Sequence, residues 1–186
     1  MGTGNRSASY GLLAVSLHWL TLLLVVLIYL TIELHDLVPR DGSLYSALAD
    51  WHGYLGFLLL PIAIVRLINF RRKTAPPVTP PLSAWQAKLT DWMKKYLYVL
   101  IVGMPVSGWV FLSADGAMIN VWAFPLPSVA PENQGLAQLA ERIHVLLGLS
   151  GYLFISLHAV AALFHHYLVK DDTLVRMLPG SVRRKR

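Results

Sequence analysis

The sequence predicts an all-α integral membrane protein, a four-helix bundle that forms one domain over residues 1–186. Composition is the first observation behind this prediction: 55% of the 186 residues are hydrophobic, only 14% are charged, and the mean hydropathy is +0.53. Soluble domains carry nearer a quarter charged residues. The second observation is that four segments are apolar over the roughly 20 residues that a helix needs to cross a bilayer.

These four spans cover roughly residues 12–34, 47–70, 96–112 and 143–169. The third span is the shortest, and its Pro105 predicts a bend. Before it, the proline-rich stretch 74–81 leads into segment 85–95, whose apolar and basic residues alternate at helical spacing. That pattern predicts a short interfacial helix in contact with membrane lipid.

Charge sets the predicted orientation and excludes some classes of protein. Lysine and arginine concentrate in the loop between spans two and three and in the tail, whereas Arg40 and Arg142 stand alone on the other side. By the positive-inside rule, both termini are cytoplasmic. The net charge of +6 therefore reflects topology, and nucleic acid is not an expected partner. Because the chain has no cysteine, disulfides, thiolate metal sites and c-type haem attachment are excluded.

Four histidines fall inside the spans, where ionisable residues are costly and mark function. His18 lies in the inner half of span one, and His158 at a similar depth in span four. His52 and His144 both lie near the outer face. A single intramembrane histidine is equally explained by an interhelical hydrogen bond. Depth, however, groups the four into two pairs, named here the inner pair (His18 and His158) and the outer pair (His52 and His144).

The spacing on span four supports this grouping. His144 and His158 are separated by ~21 Å along the helix axis and by roughly 40° around it. One helix therefore supplies one ligand to each of two stacked cofactors, and a single four-histidine metal site is excluded. Neutral imidazole offers a lone pair to iron, so we predict two b-type haems, each held by two histidines. Nearby small residues give a macrocycle room or simply permit close helix packing; they include Gly53, Gly56, Gly148 and Gly151.

Several motifs around these histidines resemble the bacterial cytochrome b561 family: SLHW, WHGYLG, ERIHVLLGLSGYLFISLHAVAALFHHYLVKD and TLVRMLP. The resemblance extends from residue 10 to residue 179. It is greatest to the small four-helix branch whose described activity is superoxide oxidation with ubiquinone as acceptor. It implies a multi-pass protein of the bacterial inner membrane with two haem b groups, and its haem ligands correspond here to His18, His52, His144 and His158.

The resemblance also implies a path for electrons, from superoxide to the outer haem, then to the inner haem and to ubiquinone near the cytoplasmic face. Arg142 is expected either to offset the acidic outer face for superoxide or to anchor span four. His165, more than His166, is expected either to assist quinone reduction or to contact lipid headgroups. Arg66, with Arg71 and Arg72, is expected to contact lipid phosphates or set topology.

Three functions remain open from the sequence. The first is a superoxide:ubiquinone oxidoreductase complete in one chain. The second is a haem-b electron-transfer subunit that relays electrons between quinone and a partner dehydrogenase or periplasmic redox protein. The third is a non-redox membrane protein whose histidines bind metal or protons.

Overall fold

The computed structural model describes residues 10–72, 78–79, 81–118, 120–121 and 124–178. Its main elements are the helices α1 (Leu12–Leu37), α2 (Ser43–Arg72), α3 (Ala84–Ala114) and α4 (Gln134–Phe164). All four are long and apolar enough to cross a membrane. The prediction of an all-α four-helix membrane bundle is therefore confirmed. Most of the proline-rich stretch and the basic tail 179–186 lie outside the described residues.

Helices α3 and α4 both begin earlier than their apolar spans. The predicted interfacial helix and the third span form one continuous helix, which passes through Pro105. A capping box starts it, since Gln86 Oε1 accepts from the Ser83 backbone N–H at 3.0 Å. At α4, Asn133 Oδ1 accepts from the Leu136 N–H at 2.9 Å. The start of α3 lies within one residue of the helix predicted over 85–95, whereas the start of α4 at Gln134 was not predicted.

The connection between α3 and α4 covers residues 115–133, and its described parts include a short pair of strands. The strands β1 (Asn120–Val121) and β2 (Phe124–Pro125) pair in antiparallel fashion. The chain leaves α3 through Gly116, whose φ of +78° suits glycine. The Asn133 N–H then donates to the Ala114 carbonyl at 2.9 Å, which holds the end of α3 against the start of α4.

Helix packing leaves space across the bundle. Close backbone packing joins α1 to α2, α2 to α3 and α3 to α4. By contrast, α4 meets α1 through side chains such as Tyr29, whose hydroxyl donates to the Gly148 carbonyl at 2.8 Å. Large apolar side chains are exposed on the outer surface of every helix, as expected where lipid surrounds the protein.

Beyond Phe164 the chain folds back to form a C-terminal cap, residues 170–178. A π-helical turn, His165–Val169, ends at Lys170, which has φ 60°. Trp19 Nε1 donates to the Met177 carbonyl at 2.7 Å, and the Thr79 N–H donates to Asp172 Oδ1 at 3.0 Å. The cap is therefore tied to the start of α1 and to the connection between α2 and α3.

Candidate cofactor sites between the helices

The four intramembrane histidines stand as two facing pairs. His52 on α2 and His144 on α4 have ring centroids 6.0 Å apart. His18 on α1 and His158 on α4 have ring centroids 6.4 Å apart. The structure thus brings together the same histidines that the sequence analysis paired by their depth in the membrane.

Both distances between ring centroids are close to the distance expected for two imidazoles bound to one metal ion. Metal–nitrogen bonds to imidazole are about 2 Å long. An imidazole ring has a radius of about 1.1 Å, because its C–N bonds are close to 1.33 Å. Two rings bound on opposite sides of one metal therefore have centroids about 6 Å apart, so each pair fits axial ligation of a haem iron.

Hydrogen bonds orient the outer pair for this role. His52 Nδ1 lies 3.1 Å from the Ile28 carbonyl oxygen, and His144 Nδ1 lies 3.0 Å from that of Met104. Since a carbonyl only accepts, each Nδ1 carries the proton and each Nε2 keeps a free lone pair. Such contacts fix the tautomer and orientation of a metal-binding imidazole.

The space beside the outer pair is apolar. A cavity opens between the helices at His52 and His144, and its lining includes Leu59, Leu100, Ile101, Met104 and Pro105. A Cβ atom added to Gly53 or to Gly56 would meet nothing within 4 Å, so α2 leaves this side open. An apolar cradle of this kind suits a flat macrocycle.

The small residues of α4 serve helix packing instead. Tyr29 fills the space that a side chain on Gly151 would need, and its hydroxyl bonds to the Gly148 carbonyl. Of the two explanations open from the sequence, room for a macrocycle fits the glycines of α2, and close packing fits those of α4.

The inner pair has a different neighbour. Arg66 Nη2 on α2 lies 2.8 Å from His18 Nδ1. A guanidinium only donates, so in this arrangement Nδ1 accepts and the His18 proton sits on Nε2. A metal ion on Nε2 therefore requires Arg66 to release Nδ1. Arg66 is half-buried, and its guanidinium is directed toward the inner pair.

A histidine–carboxylate contact follows the inner pair along α4. His165 Nδ1 donates to Asp171 Oδ2 at 2.6 Å, and only 1% of the Asp171 side chain is exposed. The Thr173 N–H donates to the other carboxylate oxygen at 2.9 Å. Although burial alone would raise the pKa of Asp171, the hydrogen bonds from Thr173 and His165 bring it below its ordinary value.

The other expected site residues lie further from the pairs. Arg142 is exposed on α4. Two positions along a helix turn its side chain about 200° from that of His144. His166 is half-buried and its ring packs edge-on against Tyr167, with centroids 4.8 Å apart. Neither residue contacts a member of the two pairs within the described part of the chain.

Fold and site together indicate the class: a multi-pass membrane protein in which paired histidines of different helices are suitably spaced for metal-containing cofactors. The sequence model of the prokaryotic cytochrome b561 family matches residues 9–180. The chain belongs to this family, which makes it a bacterial membrane protein of electron transfer, and haem b is the cofactor that the family implies.

Named relatives agree with the family. The chain is 34% identical over 165 residues to cytochrome b561 homolog 1 of Escherichia coli (strain K12), covering 89% of this chain and 94% of that protein. It is 32% identical over 173 residues to the probable superoxide oxidase CybB of Yersinia pestis, covering 91% and 96%. Cytochrome b561 homolog 2 of Escherichia coli (strain K12) is 29% identical over 188 residues, covering 97% of each chain.

Proposed function

We propose that this protein oxidises superoxide on the outer side of the bacterial inner membrane and reduces ubiquinone near the cytoplasmic side, with two haem b groups between. One observation carries the proposal: two histidine pairs, each with the separation that one iron needs, are stacked along α4. Bound haem iron supplies one-electron transfer between its ferric and ferrous states. Two such centres in series would carry electrons from one side of a bilayer toward the other.

The protein's part at the outer pair is to orient the imidazoles and exclude water. The carbonyl groups of Ile28 and Met104 hold the two Nδ1–H groups, which leaves both Nε2 atoms for iron. The apolar lining of the cavity keeps the site at low dielectric.

The outer end is proposed as the entry for superoxide. The positive-inside rule supports an orientation with both termini cytoplasmic, which places the outer pair on the opposite side. The Yersinia pestis relative carries the name probable superoxide oxidase. Superoxide is an anion, and exposed Arg142 is the basic side chain beside the start of the fourth span, so its charge raises the local concentration of this substrate.

The cytoplasmic end is proposed as the quinone site. His165 follows His158 by seven residues and is the first residue of the π-helical turn after α4. Helical spacing puts it ~10 Å beyond His158 and within roughly 20° of the same face. Asp171 holds the His165 proton on Nδ1, so Nε2 is the nitrogen left for a partner. When the ring takes up a second proton from the cytoplasmic water, Nε2–H can donate to a quinone carbonyl and pass that proton to the reduced quinone, which returns Nε2 to its lone-pair form. We assign this role to His165, with Asp171 as the positioning residue.

The test uses the purified chain alone. A superoxide pulse should reduce the haems, as followed by their absorbance bands after rapid mixing. Added ubiquinone should then reoxidise the haems without another subunit. Haem reduction that requires a partner dehydrogenase or periplasmic protein would favour the electron-transfer subunit. A purified protein without a Soret band would remove both redox functions.

A further inference from the structure

Arg66 occupies a position that repeats the spacing of the ligands. On α4, His158 follows His144 by 14 residues; on α2, Arg66 follows His52 by the same 14. This interval spans ~21 Å and returns to within roughly 40° of one face. On α2, Arg66 therefore lies at the depth of the inner pair, just as His52 lies at the depth of the outer pair, and its 2.8 Å contact with His18 Nδ1 agrees.

The charge of Arg66 has no counter-ion among the described residues. Its guanidinium carbon lies 5.7 Å from the centroid of the Tyr98 ring, and no carboxylate forms an ion pair with it in that part of the chain. Arginine stays protonated in proteins, and a cation within a bilayer is costly. A positive charge kept at such a place has a functional reason.

The two pairs consequently differ in electrostatics. Carbonyl oxygens accept from both Nδ1 atoms of the outer pair, an arrangement that makes imidazole a stronger electron donor to iron. Around the inner pair the neighbour is a cation. When ferric iron takes up one electron, the net charge of its site falls by one, so a nearby cation favours the reduced state.

From these contacts we infer that Arg66 raises the reduction potential of the inner haem above that of the outer haem and so directs electrons toward the cytoplasmic side. The inference rests on the proposed function in that it requires a haem at each pair. Once iron takes Nε2 of His18, Arg66 must turn from Nδ1 to another acceptor. Its backbone on α2 nevertheless keeps the charge beside the inner pair.

The test is a spectroelectrochemical titration of the purified protein with both haems bound. The His52→Ala variant, which keeps only the inner haem, assigns the two waves. Arg66→Gln should lower the midpoint of the inner wave by at least the equivalent of a tenfold change in its reduction equilibrium, about 59 mV for one electron. The outer wave should stay in place, and Arg66→Lys, which keeps the charge, should retain most of the wild-type midpoint.

Arg72→Gln is the matched control, because Arg72 is exposed six residues further along α2; both waves should be unchanged. If Arg66→Gln loses the inner haem, retention of that haem near its wild-type midpoint in Arg66→Lys still supports the role of charge. An unchanged or raised inner midpoint in Arg66→Gln, or equal shifts in the Gln and Lys variants, would overturn the inference. A wild-type protein with one wave would instead refute the two-haem proposal.

Discussion

Gly108 on α3 lies directly against the imidazole ring of His144 on α4. A Cβ atom at position 108 would stand 3.2 Å from Cε1 and 3.3 Å from Nδ1 of that ring. Helix α3 therefore packs against the outer pair at this point, and a side chain at position 108 would require the ring to shift by a few tenths of an ångström.

Gly108→Val should displace the His144 ring and reduce the haem content of the purified protein from two toward one per chain. The physical reason is steric, since the branched side chain requires space that the ring occupies. Gly103→Val is the matched control on the same helix, because a Cβ there meets only Leu147 Cδ1, at an ordinary 3.5 Å. Two haems with an unshifted spectrum in the Gly108 variant would contradict this role.

Arg142→Gln should slow reduction of the haems by superoxide a few-fold at low ionic strength. Steering of an anion by an exposed charge weakens as salt shortens the Debye length from about 30 Å at 0.01 M to about 3 Å at 1 M. The difference from wild type should therefore disappear at high salt. Arg40→Gln removes an exposed charge from the same predicted side and serves as control; an equal effect there would assign the steering to net charge rather than to Arg142.

Much of this arrangement follows from the sequence, because depth and helical spacing are periodic properties. The four spans and the grouping of histidines by depth need only hydropathy and the rise per residue. The contact of Arg66 with His18 does not follow as easily, since interfacial arginines are common and the rotation of α2 against α1 is set by packing. The sequence feature that could have predicted this contact is the 14-residue interval from His52 to Arg66, which equals the interval between the two histidines of α4.

Asp171 was missed for a different reason. It follows His165 by six residues, an interval that places no two side chains together on an α-helix. The π-helical turn and the left-handed backbone of Lys170 fold the chain back and bring its carboxylate to the His165 ring. The early start of α4 at Gln134 was likewise hidden, because capping by Asn133 extends this helix beyond its apolar span. The start of α3 at Ala84 agrees with the helix predicted over 85–95.

His165→Ala should leave both haems bound and their reduction by superoxide fast, while reoxidation by ubiquinone slows by roughly 100-fold, the lower end of the range for general acid–base catalysis. Asp171→Asn should give a smaller loss, because the ring keeps its nitrogens but loses the carboxylate that orients it. His166→Ala is the control. Stopped-flow measurement of each half-reaction separates these effects. If the His165 variant is reoxidised by quinone at the wild-type rate, the alternative role of His165 as a contact to lipid headgroups is favoured.

Stability should depend on the Asp171 carboxylate in a defined pH range. Its native pKa lies below the ordinary value of about 3.9, so ionised Asp171 contributes stability above about pH 4. That contribution is lost as the pH falls through the native pKa. Unfolding temperatures in detergent should show Asp171→Asn less stable than wild type at pH 7, with the difference narrowing at more acidic pH. Exposed Asp41→Asn should show no such change.

The pairing of the histidines is tested most directly by counting and identifying haems in four single variants by absorption and electron paramagnetic resonance spectroscopy. His52→Ala and His144→Ala should each retain one low-spin b-type haem with the same spectrum. His18→Ala and His158→Ala should each retain the other haem. If His52→Ala and His18→Ala instead lose the same haem, the two stacked sites proposed here are wrong.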